Sequence, residues 1–156
     1  SSFSKSFSLY GERVGALSIV TASKEEAGRV LSQVKRVIRT NYSNPPIHGG
    51  AIVAAVLSSP ELRQMWEDEL GGMRERIRAM RTGLVEQLKA AGVAQDFSFV
   101  IKQRGMFSYT GLSPEQVKQL REQHSVYMVS SGRANVAGID ATRLALLAEA
   151  IASVCK

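Results

Sequence analysis

Between Ser59-Pro60 and Gly92, apolar residues recur at Leu62, Met65, Trp66, Leu70, Met73, Ile77, Met80, Leu84 and Leu88, mostly three or four apart. That period keeps them on one face of a single helix. Ser59 is suited to cap its start, and Pro60 fits the first helical position, where no backbone N–H is needed. A helix of about thirty residues is well beyond the ordinary globular length. In a chain of 156 residues such a helix is expected to connect two bodies or to serve a subunit contact. Gly71-Gly72 offers a place for a bend, and the domain boundary is placed there, giving domains 1–72 and 73–156.

The two sides of this helix read differently. Before it, residues 15–21 are short, apolar and partly β-branched, which predicts a buried strand. Ser23 with Glu26 forms a capping box that opens a helix to about Arg39, with Val30, Val34 and Ile38 on one face. Residues 41–46, with two prolines, break it. Residues 47–57 are small and apolar almost all round, the pattern of a helix packed inside a larger body. This half has one strand and no second to pair with, so it is not self-sufficient. After Gly92 the pattern is α+β: strands at 97–101 and 106–109, a helix from Ser113 to about Gln123, strands at 126–129 and 133–136, and a helix over 139–154 capped by Asp140. That half can close its own core.

Charge and special residues narrow the function. The formal net charge is +6, but the basic residues are interleaved with acids and lack the aromatic spacing of a single-strand binding surface, so nucleic acid is not an expected partner. One cysteine, Cys155, and two scattered histidines, His48 and His124, form no metal-ligand pattern, and no metal is expected. No apolar run reaches the roughly 20 residues of a membrane span, and the first residues do not read as a signal peptide. A reducing cytoplasm and no membrane are the expectation.

The reactive groups gather at the start. Lys5 supplies a primary amine that can condense with an aldehyde, Ser2 and Ser4 supply hydroxyls, and Arg13 can grip a phosphate with two prongs. In isolation a lysine near a chain start is a solvated surface group, and serines there form a flexible terminus. Neighbouring glycines, Gly11 and Gly15, allow backbone to approach a ligand closely.

Four segments carry a more specific message. Ser2-Phe3-Ser4-Lys5-Ser6-Phe7-Ser8-Leu9-Tyr10-Gly11-Glu12-Arg13-Val14-Gly15 resembles the cofactor-lysine segment of class I, pyridoxal-phosphate-dependent aminotransferases, in the aspartate/aromatic amino acid aminotransferase branch. Asn41-Tyr42-Ser43-Asn44-Pro45-Pro46, Arg104-Gly105-Met106-Phe107-Ser108-Tyr109-Thr110-Gly111-Leu112 and Ser131-Gly132-Arg133-Ala134-Asn135-Val136-Ala137-Gly138 agree with the same family in order and spacing. The likeness covers essentially the whole chain and corresponds to the C-terminal part of such an enzyme.

The resemblance implies the α/β type I fold of pyridoxal-phosphate-dependent transferases. Residues 1–72 are then a remnant of the large cofactor-binding domain, and residues 73–156 the small α+β domain with its connecting helix. It also implies pyridoxal 5'-phosphate as cofactor. Lys5 is implied to hold it covalently and later to act as the base that moves a substrate proton. Ser2 and Arg13 are implied to hold the phosphate, Ser4 to support them, and Ser43 to approach the phosphate across a dimer interface. Arg133 is implied to grip the substrate α-carboxylate and Phe107 to line the pocket. Arg39 is implied to reach the neighbouring subunit's site, where it recognises a distal carboxylate. From the residues alone, Arg39 is a last-turn cation favoured by the helix dipole, Phe107 a core phenylalanine and Arg133 a surface arginine.

The activity so implied is transfer of an amino group from an aromatic amino acid or aspartate to 2-oxoglutarate, a 2-oxo acid, by a homodimer. Residues that the family places earlier, including an aspartate for the pyridine nitrogen and an aromatic ring stacked on the cofactor, are not in this sequence. The 156 residues alone are therefore expected to be inactive and to depend on a missing N-terminal segment. The competing reading is a non-catalytic structural or interaction fragment that uses the long helix.

Overall fold

The computed structural model describes residues 1–155 and divides between Leu70 and Gly71 into two units. In the first, Ser1–Leu70, the chain start folds back on itself. Phe3 N donates to Val14 O at 3.1 Å and Ala16 N to Ser1 O at 3.0 Å, on either side of an antiparallel bridge between Ser2 and Gly15. A side chain at Gly15 would meet Ser1 O at 2.5 Å, so only glycine allows this approach. The strand expected over 15–21 is not formed: Leu17 and Val20 are 78% and 97% exposed. The backbone pairing is confined to Val14–Ala16 against Ser1–Phe3.

Helix α1, Lys24–Tyr42, follows. Ser23 Oγ accepts from Glu26 N at 3.1 Å, while the Glu26 carboxylate accepts from Ala22 N at 2.8 Å, one residue ahead of the expected capping-box partner. The helix runs three residues past Arg39 before Ser43 leaves it at φ 67° and ψ −66°. Helix α2, His48–Ser58, forms where expected, but only Gly49 and Val53 are buried, so the enclosure that its composition predicts is absent within this unit. Gly49 lets the loop approach: a Cβ there would lie 3.0 Å from Glu12 Cβ and 3.2 Å from the Val14 side chain.

Helix α3, Pro60–Ala90, realises the long apolar period as one helix, with Ser59 Oγ accepting from Leu62 N at 3.3 Å. It continues across the division into the second unit, where Met80, Leu84 and Leu88 are buried in the core. Helix α4, Phe99–Lys102, replaces the strand expected over 97–101. The Asp96 carboxylate accepts from Ser98 N at 2.7 Å and from Ser98 Oγ at 2.8 Å, which turns the chain. Phe97 and Val100, three apart, then bury on one side.

Strand β1, Phe107–Tyr109, pairs antiparallel with β2, Arg133–Asn135, placing Phe107 opposite Asn135 and Tyr109 opposite Arg133. Between them lies α5, Pro114–His124, with a complete capping box: Ser113 Oγ accepts from Gln116 N and Gln116 Oε1 from Ser113 N. The strand expected over 126–129 is not formed. Ser125 turns at φ 54°, Val126 N bonds back to Leu120 O, and Val126 and Met128 pack on the core without a ladder partner. The last helix expected over 139–154 comes in two pieces. Asp140 caps a short 3-10 turn, Ala141–Arg143, and helix α6, Leu144–Val154, follows. Gln116 Nε2 donates to Val154 O at 2.7 Å and so ties α5 to the end of α6. Leu88, Val100, Leu120 and Val136 are the best-buried large side chains, each contributing about 1.5–3 kcal/mol. Among the described residues no helix is long and apolar enough to cross a membrane.

Candidate active site

The looped chain start gathers hydrogen-bond donors. Ser4, 6% exposed, accepts at its Oγ from Ser2 Oγ at 3.2 Å and from Arg13 Nη1 at 3.4 Å, while Ser4 N donates to Ser2 Oγ at 3.3 Å. Arg13 takes a left-handed φ of 53° and also donates to Tyr10 O at 2.9 Å. The Tyr10 ring brings two cations together: Lys5 Nζ lies 4.7 Å and Arg13 Cζ 5.5 Å from its centroid. Among the described residues no carboxylate forms an ion pair with either cation. Two hydroxyls and an uncompensated guanidinium are a donor set for a phosphate monoester, and the adjacent amine is a nucleophile for a carbonyl.

Arg39 and Ser43 form a second group at the end of α1, bonded at 2.8 Å through Arg39 Nη1 and Ser43 Oγ. Among the described residues no hydrogen bond links this pair to the Ser2–Ser4–Arg13 group within their unit.

The third group is in the second unit. Arg133 Cζ stands 4.9 Å from the Phe107 ring centroid, and Phe107 is 40% exposed rather than core. The guanidinium thus lies over an open ring face, free of any carboxylate among the described residues. The small residues beside Arg133 matter structurally. Gly132 takes φ 79°, and a Cβ there would meet Leu112 O at 2.8 Å. Thr110, buried, holds the same turn by donating from its hydroxyl to Gly132 O at 2.7 Å.

Behind β1 sits Arg81 of α3, 3% exposed. It donates to Val100 O, Gly105 O and Phe107 O, each at 2.8 Å, and to Ser108 Oγ. Ser108 in turn donates to Gln103 Oε1, and Gln103 Nε2 donates to Tyr109 O. Burial and the nearby Arg104 charge pull the Arg81 pKa below its usual value. Two supporting residues carry no role in the sequence reading: Tyr10 and Arg81. Arg81 leaves a faint signal, an arginine spaced four after Ile77 and three before Leu84 on the apolar stripe of α3.

Residues 1–151 match the family described as Aminotransferase class I and II, and the chain belongs to that family. It is 63% identical over 154 residues to an aspartate aminotransferase of Pseudomonas aeruginosa and 54% identical over 155 residues to an aromatic-amino-acid aminotransferase of the same organism. Each comparison covers 99% of this chain and 39% of the relative. Among solved structures, the aromatic-amino-acid aminotransferase from Burkholderia pseudomallei, covalently bound to pyridoxal phosphate, matches with a TM-score of 0.91 at 69% identity. That match covers 99% of this chain and 39% of that one. The chain therefore has part of the α/β fold of these enzymes and spans about two fifths of their length.

Proposed function

We propose that this chain is the C-terminal part of a pyridoxal-phosphate-dependent aminotransferase that moves the amino group of aromatic amino acids or aspartate to 2-oxoglutarate. On this reading residues 1–72 belong to the large cofactor-binding domain and residues 73–156 to the small domain with its connecting helix. The observation that carries it is the bonding of Arg13 to Ser4 with Lys5 on the same tyrosine ring. These contacts support reading the loop as a phosphate cradle with a reactive amine beside it. The donor set fits pyridoxal 5'-phosphate, which when bound supplies an aldehyde and an electron sink for amino-group transfer.

The chain's own residues then have distinct tasks. Ser2, Ser4 and Arg13 would hold and orient the phosphate, and the Lys5 amine would hold the cofactor covalently. As a free amine, Lys5 Nζ would be the group that carries a proton to or from the substrate carbon. Arg133 clamps the α-carboxylate with two parallel N–H donors, and Phe107 supports it from beneath. Arg39 and Ser43 act in the site of a second subunit in a homodimer, Arg39 on a distal carboxylate and Ser43 on the phosphate. Catalysis needs residues outside these 156, so the chain alone turns over nothing. The share of the relatives that it spans supports this.

The test is amino-group transfer by the longer protein to which this chain is assigned, supplied with aspartate or tyrosine, 2-oxoglutarate and pyridoxal 5'-phosphate. Activity that Lys5→Ala abolishes supports the reading. Absence of transfer, or transfer that survives Lys5→Ala, refutes it.

A further inference from the structure

Trp66 on α3 touches a peptide sixty positions earlier in the chain. Its indole Nε1–H donates to Ser6 O at 2.6 Å, and its ring stacks on Phe7 with centroids 4.6 Å apart and planes at 20°. Phe7 meets Phe3 edge-on at 5.3 Å and 83°. Phe3 and Phe7 stand two residues either side of Lys5, and the Ser6 carbonyl belongs to the residue directly after it. Two backbone bonds shape this turn: Phe7 N donates to Phe3 O at 3.1 Å and Ser8 N to Lys5 O at 3.2 Å. Of these three bonds, only that from the indole anchors the turn to a helix.

Lys5 itself has a long side chain with no hydrogen-bond partner among the described residues, so its reach is set by where the backbone holds its Cα. We propose that Trp66 is a positioning residue for Lys5, fixing the lysine turn against α3 so that the amine and the Ser2–Ser4–Arg13 cradle address one ligand together. This rests on the reading of Lys5 as the residue that captures the cofactor aldehyde. Capture requires the amine to meet the aldehyde while the phosphate is already held, and a displacement of about 1 Å weakens that coincidence.

The experiment uses the longer protein with pyridoxal 5'-phosphate as probe. Lys5 adducts are trapped with borohydride and counted by peptide mass, alongside the thermal midpoint of the cofactor-free protein. Trp66→Phe keeps the stack and removes the bond; Trp66→Leu removes both. The expected result for Trp66→Phe is a midpoint within about 4 °C of the parent and about five- to tenfold more probe needed for half-maximal Lys5 labelling. The shift is larger for Trp66→Leu, and if that variant does not fold, Trp66→Phe decides. Labelling within about twofold of the parent in Trp66→Phe, or a labelling loss no greater than the unfolded fraction, overturns the inference. No Lys5 adduct in the parent protein instead overturns the reading on which the inference rests.

Discussion

Arg39 donates through Nη1 to Ser43 Oγ at 2.8 Å, and the two stand exposed at the C-terminal end of α1, where Ser43 takes a positive φ of 67°. A non-glycine residue there stores about 1–3 kcal/mol of backbone strain, which the bond to Arg39 helps to hold. The two groups assigned to a second subunit's site are thus already coupled within one chain.

That coupling gives a substrate-selective prediction. In the longer protein, Arg39→Ala lowers kcat/KM for aspartate about 30- to 100-fold, the loss of one charge-assisted interaction. The value for tyrosine, which has no distal carboxylate, changes less than about threefold. Steady-state kinetics with both amino acids check it, and equal losses refute the assignment of Arg39.

Arg133 is expected to matter for every substrate, since all carry an α-carboxylate. Arg133→Ala raises KM for aspartate and tyrosine alike by about 30- to 100-fold. Phe107→Leu keeps an apolar surface but removes the ring beneath the guanidinium, and its effect is about two- to fivefold, the size of a cation–π contact. The comparison of the two variants is read from KM, with cofactor content measured separately.

Arg81 makes a stability prediction that stands apart from the proposed activity. Arg81→Met leaves three backbone carbonyls and the Ser108 hydroxyl without their donor. Loss of about 3 kcal/mol follows, seen as a lower urea midpoint. Arg81→Lys recovers only part, because an ammonium cannot reproduce the planar fork.

Acid titration provides a fourth check. The Thr142 hydroxyl and then its backbone N–H hold the Asp140 carboxylate below the usual range, and the backbone N–H and hydroxyl of Ser98 do the same for Asp96. A carboxylate whose folded pKa is lowered stabilises the fold above its unfolded value, about 3.9. That contribution disappears as pH falls through the folded value. The melting temperature of the parent protein therefore falls more steeply below about pH 4 than that of Asp140→Ala or Asp96→Ala. Parallel curves refute the stabilising role of the two carboxylate contacts.

Cys155 offers a fifth. Burial pushes its thiol pKa up, so less of the reactive thiolate is present at pH 8 than in a free cysteine. Labelling with a thiol reagent is slower than for free cysteine, and the difference vanishes in urea.

How much of this could be read from the chain depended on whether the cause was local. Ser59-Pro60, Ser113 with Gln116, and the apolar period to Leu88 are local signals, and α3 and α5 lie where they point. Residues 15–21 and 126–129 have strand composition but no ladder, because pairing requires a second extended segment and the sequence of one segment does not report it. Helix α4, Phe99–Lys102, stands where a strand over 97–101 is expected, behind a turn set by a single carboxylate, Asp96, acting on Ser98. In the candidate site, Ser2, Ser4, Lys5 and Arg13 lie close together in sequence, and the structure gathers them. Tyr10, Trp66 and Arg81 support their groups through ring faces, an indole N–H and backbone carbonyls, contacts that leave almost no compositional trace.

Gln116 shows what such economy implies. Its Oε1 faces the amide-rich start of α5 and its Nε2 the carbonyl-rich end of α6. One side-chain dipole thus answers the opposite poles of two helices. Glutamate could serve the first pole and lysine the second, but each would fail the other. Only a primary amide of this length meets both, so the position is constrained by its paired acceptor and donor rather than by size, charge or burial.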